Sequence, residues 1–146
     1  MADVFISYSM RSAGKVVQKI SETLERDGIS CWYAGRDMPP GAFADSATRE
    51  IDDCRVLLAI LNQESIHSAH VATELALAFD RFNDGQQIEL IPFLIDKSEL
   101  RKEKDRVCRS IRYYTALFPY IDGVPPDETH IDALAQKIRQ VFVALA

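Results

Sequence analysis

The stretch Val56-Leu57-Leu58-Ala59-Ile60-Leu61 (residues 56–61) consists of six consecutive apolar residues. A strand with one face in water alternates apolar and polar side chains, whereas a strand covered on both faces is apolar along its length. This stretch therefore predicts a strand inside a sheet that carries helices on both sides. Apolar residues then recur at helical spacing from Val71 to Phe82, which indicates that a helix follows the strand.

Two further units of strand and helix precede this stretch. Residues 3–7 (DVFIS) predict a first strand, and apolar residues at helical spacing from 13 to 24 predict a helix that ends at Gly28, a residue type common just after helices. Residues 29–33 (ISCWY) are mostly β-branched or aromatic and predict a second strand. From 43 to 54 the apolar residues again share one helical face, which indicates a second helix.

The segment that follows these units is less regular. Residues 88–95 (IELIPFLI) predict a fourth strand, and the charged stretch 98–111 predicts a weak helix. A fifth strand is predicted at 116–121 (ALFPYI), where Pro119 lacks a backbone N–H and therefore favours the edge of the sheet. Regularly spaced apolar residues indicate a last helix that starts near Thr129 and reaches the end of the chain.

Alternating strands and helices with short connections imply a mostly parallel sheet, because right-handed crossovers place the helices on both of its faces. Five strands predict a flavodoxin-like three-layer α/β sandwich with strand order 2-1-3-4-5. In that order the first and third strands flank the point where ligands bind, at the carboxyl ends of the strands. The segments 7–9, 32–41 and 62–74 are predicted to converge there.

The composition argues against several classes of protein. The chain has 146 residues, the size of one domain, with 17 Lys and Arg against 22 Asp and Glu and a net charge of −5. A negative net charge disfavours binding to nucleic acid or anionic membranes. No apolar run approaches the ~18 residues of a membrane span, and no basic leader precedes the first strand. We therefore expect a cytoplasmic protein that contacts neither nucleic acid nor membrane.

Motifs of other nucleotide-binding sheets do not occur in the sequence. Rossmann folds carry G-x-G-x-x-G after the first strand and P-loop proteins carry G-x-x-x-x-G-K-[ST], and neither pattern is present. A phosphate-accepting receiver domain has an aspartate at the end of the third strand, where this chain has Asn62. These three types of site are therefore not expected.

Three segments lie at the predicted ligand edge, namely 3–9 (DVFISYS), 35–41 (GRDMPPG) and 65–75, which ends in TEL. Together they resemble the Toll/interleukin receptor (TIR) domain family. The resemblance covers most of the chain, and the order and spacing of the segments look closer to the bacterial than to the animal receptor members. Residues 1–146 are therefore identified as a single TIR domain. The resemblance implies a flavodoxin-like fold, self-association and, in many members, hydrolysis or cyclisation of NAD+ by one helix-borne glutamate.

Glu74 occupies the position of that glutamate, and the resemblance implies that it is catalytic. Four residues earlier the family often carries tryptophan, whereas this chain has His70, whose imidazole can also stack or form hydrogen bonds. One carboxylate is chemically sufficient, because nicotinamide leaves the cationic pyridinium as a neutral base and needs no general acid. The carboxylate would stabilise the cationic ribose and bind its hydroxyls. NAD+ is then the substrate, and no cofactor is predicted.

Other side chains at the same edge are candidate substrate-binding residues. Arg36, Ser9 and the N-terminus of the first helix are predicted to bind the pyrophosphate, and Tyr8 and Trp32 are candidate stacking surfaces. Trp32 has a structural alternative, because it lies in an apolar strand typical of a core. Arg36 and Asp37 likewise either pair with each other in an exposed loop or contact the ligand or another TIR domain.

A metal site and a cysteine nucleophile are not predicted. His67, His70 and Glu74 share one side of a helix, but three ligands from one helix rarely give tetrahedral geometry, and H-E-x-x-H is absent. The three cysteines of the chain have no metal-type spacing and are expected to be reduced core thiols. Burial of Cys31 and Cys54 in apolar elements would raise the pKa of each thiol.

The sequence supports two functional hypotheses. The first is an NAD+ glycohydrolase or cyclase that acts as an effector of bacterial immune signalling and becomes active when copies associate, with a further sensor domain or partner protein as the activator. The second is a non-catalytic adaptor that binds other TIR domains through the loop 34–41. Glu74 favours the first hypothesis, and the histidine in place of tryptophan at position 70 favours the second.

Overall fold

The computed structural model describes residues 2–40, 43–98, 100 and 104–145. Strands and helices alternate along this part of the chain. The strands are β1 (Val4–Ser7), β2 (Cys31–Trp32), β3 (Val56–Leu61), β4 (Glu89–Leu94) and β5 (Ile121–Asp122). The α-helices are α1 (Gly14–Arg26), α2 (Ala34–Asp37), α3 (Phe43–Asp53), α4 (Ala69–Asn83), α5 (Arg106–Tyr113) and α6 (Glu128–Leu145), and Ser65–His67 form a 3-10 turn.

The strands form one parallel sheet in the order β2-β1-β3-β4-β5, which confirms the predicted flavodoxin-like arrangement. β3 is buried along its whole length and pairs with β4 from Val56↔Glu89 to Leu61↔Leu94. Burial on both faces explains why its sequence is apolar throughout. On its other side β3 pairs with β1, so that Ser7 lies beside Ala59.

Alternate residues of β1 face opposite sides of the sheet. Val4 and Ile6 pack in the core layer formed with α1 and α6, whereas Phe5 packs in the layer formed with α3, α4 and α5. Because side chains along a strand alternate with a period of two, Ser7 faces the same side as Phe5. The end of β1 therefore presents a hydroxyl to α4.

The fifth strand differs from the prediction of a strand at 116–121. β5 consists of Ile121–Asp122 alone. The preceding residues continue α5 as turns, in which the Phe118 N–H donates to the Tyr114 carbonyl at 2.8 Å. The Phe118 ring packs edge-on against Phe82, with 4.9 Å between ring centroids. The apolar residues of this run therefore anchor a turn to α4 instead of forming a strand.

The last helix also begins one residue earlier than predicted. α6 starts at Glu128, and its first turn is capped by Asp127, whose Oδ1 accepts the His130 N–H at 3.1 Å. Asp127 rather than Thr129 is thus the capping residue, since a carboxylate placed before the helix reaches an unpaired N–H of the first turn. None of the helices in the described part of the chain is both long and apolar enough to cross a bilayer.

All three cysteines are buried, as expected for core thiols. Burial raises the pKa of Cys31 to about 12 and the pKa of Cys54 to about 11. Because the thiolate is the reactive form, both side chains are poor nucleophiles at neutral pH.

Candidate functional site

A cavity of about 410 Å³ lies between α2, α3, α4 and the loop that follows β1. Most of its lining is apolar and comes from Met10, Ala34, Met38, Ala47, Ile51 and Leu77. Four polar residues complete the lining, namely Thr48, His70, Thr73 and Glu74. Glu74 carries the only carboxylate among these lining residues, so it dominates the charge of the cavity.

Glu74 lies in the second turn of α4. Ser68 caps this helix, since its Oγ accepts the Val71 N–H at 3.4 Å. α4 docks on the sheet through fully buried residues such as Val71 and Leu75, and this leaves Glu74 at the border of the buried face. Glu74 Oε1 accepts a hydrogen bond from Ser7 Oγ at 2.7 Å. None of the described residues forms an ion pair with the Glu74 carboxylate.

The surroundings of Glu74 shift its ionisation. Burial raises the pKa of Glu74 above its ordinary value, because apolar surroundings disfavour the charged form. The hydrogen bond from Ser7 and the imidazole of His70 lower the pKa but do not cancel this effect. Oε2 receives no hydrogen bond from the described part of the chain and is not fully buried. The carboxylate is thus held at one oxygen and accessible at the other.

We predict that Glu74→Gln raises the melting temperature by about 2–4 °C near pH 8. The pKa of Glu74 is higher in the folded than in the unfolded protein, so protonation of the carboxyl group stabilises the fold. This contribution to stability is complete at pH values below the unfolded-state pKa and is lost as the pH rises through the folded-state pKa. The neutral amide avoids that loss, so the advantage of the variant shrinks toward about pH 4. Thermal denaturation followed by circular dichroism across this range measures the effect. A pH-independent difference would contradict it.

His70 connects α4 to the loop after β1. Its Nε2 lies 3.1 Å from the Tyr8 carbonyl oxygen, and its Nδ1 lies 2.9 Å from Ser68 Oγ. A carbonyl oxygen only accepts, so Nε2 carries a proton and donates it to Tyr8. The imidazole therefore lines the cavity and also fixes the position of the loop.

Tyr8 and Ser9 are buried and support the site without lining the cavity. Tyr8 Oη accepts the Gly35 N–H at 2.9 Å, which ties the end of β1 to α2. Burial raises the pKa of Tyr8, so the hydroxyl is protonated at neutral pH. Ser9 Oγ donates to Glu64 Oε2 at 3.2 Å. Both side chains thus join neighbouring segments, and neither contributes to the wall of the cavity.

Trp32 belongs to the core. Its ring stacks on Phe5 with 5.0 Å between centroids, and 7% of the residue is exposed. It does not line the cavity. The packing agrees with a core position for Trp32 rather than with a stacking surface for a ligand, because the apolar strand places this ring between the sheet and a helix.

Arg36 faces α1 rather than the cavity. Its Nη1 and Nη2 donate to the two carboxylate oxygens of Glu25 at 2.8 and 3.1 Å, and Nη2 also donates to the Cys31 carbonyl at 2.6 Å. Its Nε donates to Asp37 Oδ1 at 2.9 Å. These hydrogen bonds raise the pKa of Arg36 further above its ordinary value. Asp37 in turn accepts the Tyr33 N–H at 3.1 Å. Arg36 is thus paired with Asp37 and with Glu25 of α1, and neither Arg36 nor Asp37 lines the cavity.

We predict that Arg36→Ala lowers the free energy of unfolding by about 1 kcal/mol, because the charges that it pairs are partly exposed. A double-mutant cycle with Glu25→Ala is expected to give a coupling energy of about 0.5 kcal/mol or more. Urea denaturation of both single variants and the double variant measures it. If the two effects add to within about 0.3 kcal/mol, the pair contributes nothing and the guanidinium is available to a ligand.

The three helical side chains considered for a metal have separate partners. His67 pairs with Asp105 of the segment before α5, His70 contacts the loop after β1, and Glu74 binds Ser7. Within residues 2–40, 43–98, 100 and 104–145, no group of three or more His, Cys, Asp or Glu is arranged to hold a metal ion. The cavity therefore presents Glu74 as a single carboxylate.

The sequence does not predict most of the cavity wall. Leu77 lies three residues after Glu74 on α4, and Thr73 lies three residues after His70, and this helical spacing is a signal that places them on the same side of α4. Met10 lies in the loop after β1 and Met38 directly follows α2, and in these irregular segments no periodicity indicates the direction of a side chain. Ser7 could have been identified only from a weaker feature of the sequence, namely a hydroxyl at the end of an otherwise apolar strand.

Comparison with known proteins supports the assignment of the fold. The chain matches a sequence model of the TIR domain over residues 4–137. The TIR domain of the Toll-related receptor TRR-2 from Hydra magnipapillata is 18% identical with a TM-score of 0.69, and the match covers 97% of this chain and 98% of that chain. No curated protein sequence matches this chain significantly.

Two further solved structures are similar over nearly the full length of both chains. The heterodimer of the RPS4 and RRS1 TIR domains is 18% identical with a TM-score of 0.66, covering 94% of this chain and 96% of that chain. The CMP N-glycosidase BcmB from Clostridium botulinum is 17% identical with a TM-score of 0.60, covering 94% and 97%. Such low identities show a common fold alone. The family match, which runs from β1 into α6, establishes that this chain belongs to the TIR domain family.

Proposed function

We propose that this TIR domain is an NAD+ glycohydrolase or cyclase in which Glu74 is the catalytic carboxylate. One observation carries the proposal. The Glu74 carboxylate lines a mostly apolar cavity of about 410 Å³, with Oε1 held by Ser7 and Oε2 accessible. A carboxylate on an ordinary exposed helix face would instead be solvated, and one in a salt bridge would be neutralised by its partner.

The reaction needs little more than this carboxylate. The bond between C1′ of the ribose and the pyridinium nitrogen breaks, and its electron pair goes to nicotinamide, which leaves as a neutral base. The ribose becomes cationic, and a carboxylate in apolar surroundings stabilises that charge more strongly than it would in water. Water then adds to C1′ and loses a proton to give ADP-ribose, or a ring nitrogen of the adenine adds to give a cyclic product. NAD+ is consumed as substrate, and no cofactor takes part.

The lining of the cavity is consistent with this substrate. The apolar side chains, among them Met10, Met38 and Leu77, provide a surface for the flat nicotinamide ring. The described lining includes neither lysine nor arginine. We therefore place the nicotinamide and its ribose inside the cavity and the pyrophosphate outside it.

Association with other TIR domains is part of the proposal. The similarity to the RPS4 and RRS1 heterodimer supports binding between TIR domains, and the similarity to a CMP N-glycosidase supports cleavage of an N-glycosidic bond on this fold. We propose that the chain acts as an effector in bacterial immune signalling and that contact between copies, or with a sensor domain or partner protein, raises its activity.

The direct test is to incubate the concentrated protein with NAD+ and to follow nicotinamide by chromatography. Wild-type protein is expected to release nicotinamide at a rate that rises more than linearly with protein concentration. A Glu74→Gln variant, verified as folded by circular dichroism, serves as the control. Equal turnover by both proteins would exclude Glu74 from the chemistry.

A non-catalytic adaptor is the second candidate. The exposed residues Gly35, Arg36, Pro39 and Pro40 favour it, because they form a surface of the α2 segment that does not line the cavity. An adaptor would release no nicotinamide at any protein concentration and would form a complex with another TIR domain in sedimentation velocity experiments. Substitutions in the segment 35–40 would weaken that complex.

A further inference from the structure

Ser7 is the polar end of an apolar strand. It follows Val4, Phe5 and Ile6 in β1 and is only 1% exposed. A hydroxyl at this depth destabilises the fold unless it forms a hydrogen bond. Ser7 Oγ donates its proton to Glu74 Oε1 at 2.7 Å, and the carboxylate is its side-chain partner in the described structure. The hydroxyl is therefore dedicated to the carboxylate.

Both partners lie on rigid elements. Ser7 is paired with Ala59 in the sheet, and α4 is held against the same face by Val71 and Leu75, which are fully buried. The 2.7 Å hydrogen bond thus fixes the Glu74 side chain relative to the sheet rather than relative to a loop. Sites built on strands and helices hold their geometry more closely than sites built on loops.

We propose that Ser7 is a positioning residue, whose hydroxyl orients the Glu74 carboxylate with Oε2 toward the substrate and keeps that carboxylate ionised. This inference rests on the proposed function of Glu74. A hydrogen bond to the charged form of a carboxyl group favours ionisation, whereas burial opposes it. Without Ser7, His70 alone of the two groups that lower the pKa of Glu74 would oppose the effect of burial. A larger fraction of the carboxyl would then be protonated and unable to stabilise a cationic ribose.

The experiment compares Ser7→Ala and Ser7→Cys with a matched control. Ser21 is also 1% exposed, and its hydroxyl donates to the Gln18 carbonyl at 2.9 Å on α1, on the opposite side of the sheet from α4. Ser21→Ala therefore removes an equally buried hydroxyl far from the cavity. Two quantities are measured, namely the pH profile of kcat/KM for nicotinamide release and the titration of ¹³C-labelled glutamate carboxyls by NMR. The Glu74 signal is assigned by its absence in Glu74→Gln.

Ser7→Ala is expected to raise the pKa of Glu74 by about one pH unit in both measurements. At a pH about one unit below the new value, kcat should fall about fivefold while KM stays within about twofold. Ser7→Cys, a weaker donor, should give a smaller shift, and Ser21→Ala should give none.

The NMR titration tests the role of Ser7 independently of the catalytic role of Glu74. An unshifted Glu74 titration in folded Ser7→Ala, or a shift of equal size in Ser21→Ala, overturns the role of Ser7. If Ser7→Ala does not fold, the same criterion applies to Ser7→Cys. If no protein releases nicotinamide although the titration shifts as expected, the control of the carboxylate by Ser7 is supported and the proposed function of Glu74 fails.

Discussion

Glu74→Gln is expected to lower the rate of nicotinamide release by about 10³-fold while the protein remains folded. Glutamine matches glutamate in size, and its carbonyl oxygen can still accept the hydrogen bond that Ser7 Oγ now donates at 2.7 Å. The substitution therefore removes the negative charge and little else. Because Glu74 carries the only carboxylate among the described lining residues, no other carboxylate of the lining replaces that charge beside the cationic ribose. Chromatography of nicotinamide at saturating NAD+ measures the loss.

Glu89 offers a matched control for this prediction. It is partly buried at the start of β4, and burial raises its pKa as burial raises that of Glu74. It pairs in register with Val56, the first residue of β3, and so lies at the edge of the sheet opposite the cavity. Glu89→Gln should leave the rate within about twofold of wild type. A comparable loss in both variants would mean that any buried glutamate matters to the fold and that position 74 has no special role.

The strands were predictable because local pattern and final environment agree. Val56 to Leu61 are apolar in sequence and buried on both faces of the sheet, and Val4 to Ile6 follow the same logic on β1. The pattern gave a wrong prediction where an apolar run forms a turn instead of a strand. Phe118 lies in a run that reads as a strand, but its ring packs against Phe82 while its N–H closes a turn on Tyr114. Periodicity cannot distinguish these outcomes, since both bury the same side chain.

At the candidate site, too, the sequence predicted some features and not others. Glu74 was identified from a motif, and the structure places it at a cavity together with His70. The partner that holds it, Ser7, is 67 residues away in sequence, and only the pairing of β1 and the docking of α4 bring the two together. Arg36 illustrates the converse. It was predicted to bind the pyrophosphate from its place at the ligand edge, but Glu25 on α1 binds both of its Nη groups, and no spacing rule predicts that contact.

Gly123→Ala is expected to lower the free energy of unfolding by about 3 kcal/mol and the melting temperature by about 10 °C. Gly123 is buried directly after β5, and its N–H donates to the Leu94 carbonyl at 2.7 Å. A Cβ at this position would overlap the ring of Phe93, which is fully buried and cannot move aside. Relief of the overlap requires either an unfavourable ring conformation on β4 or a shift of the backbone that breaks the bond to Leu94.

Gly14→Ala separates this overlap from the general effect of adding a methyl group. Gly14 is the exposed first residue of α1, and no atom would lie within 4 Å of an added Cβ. Alanine restricts the unfolded chain and favours the helix, so Gly14→Ala should leave stability unchanged or raise it by up to about 1 kcal/mol. Opposite signs for the two substitutions in urea denaturation would attribute the loss to contact with Phe93. Equal, small effects would mean that β5 is not packed against that ring, because a strand edge free to move away would accept the methyl group without loss.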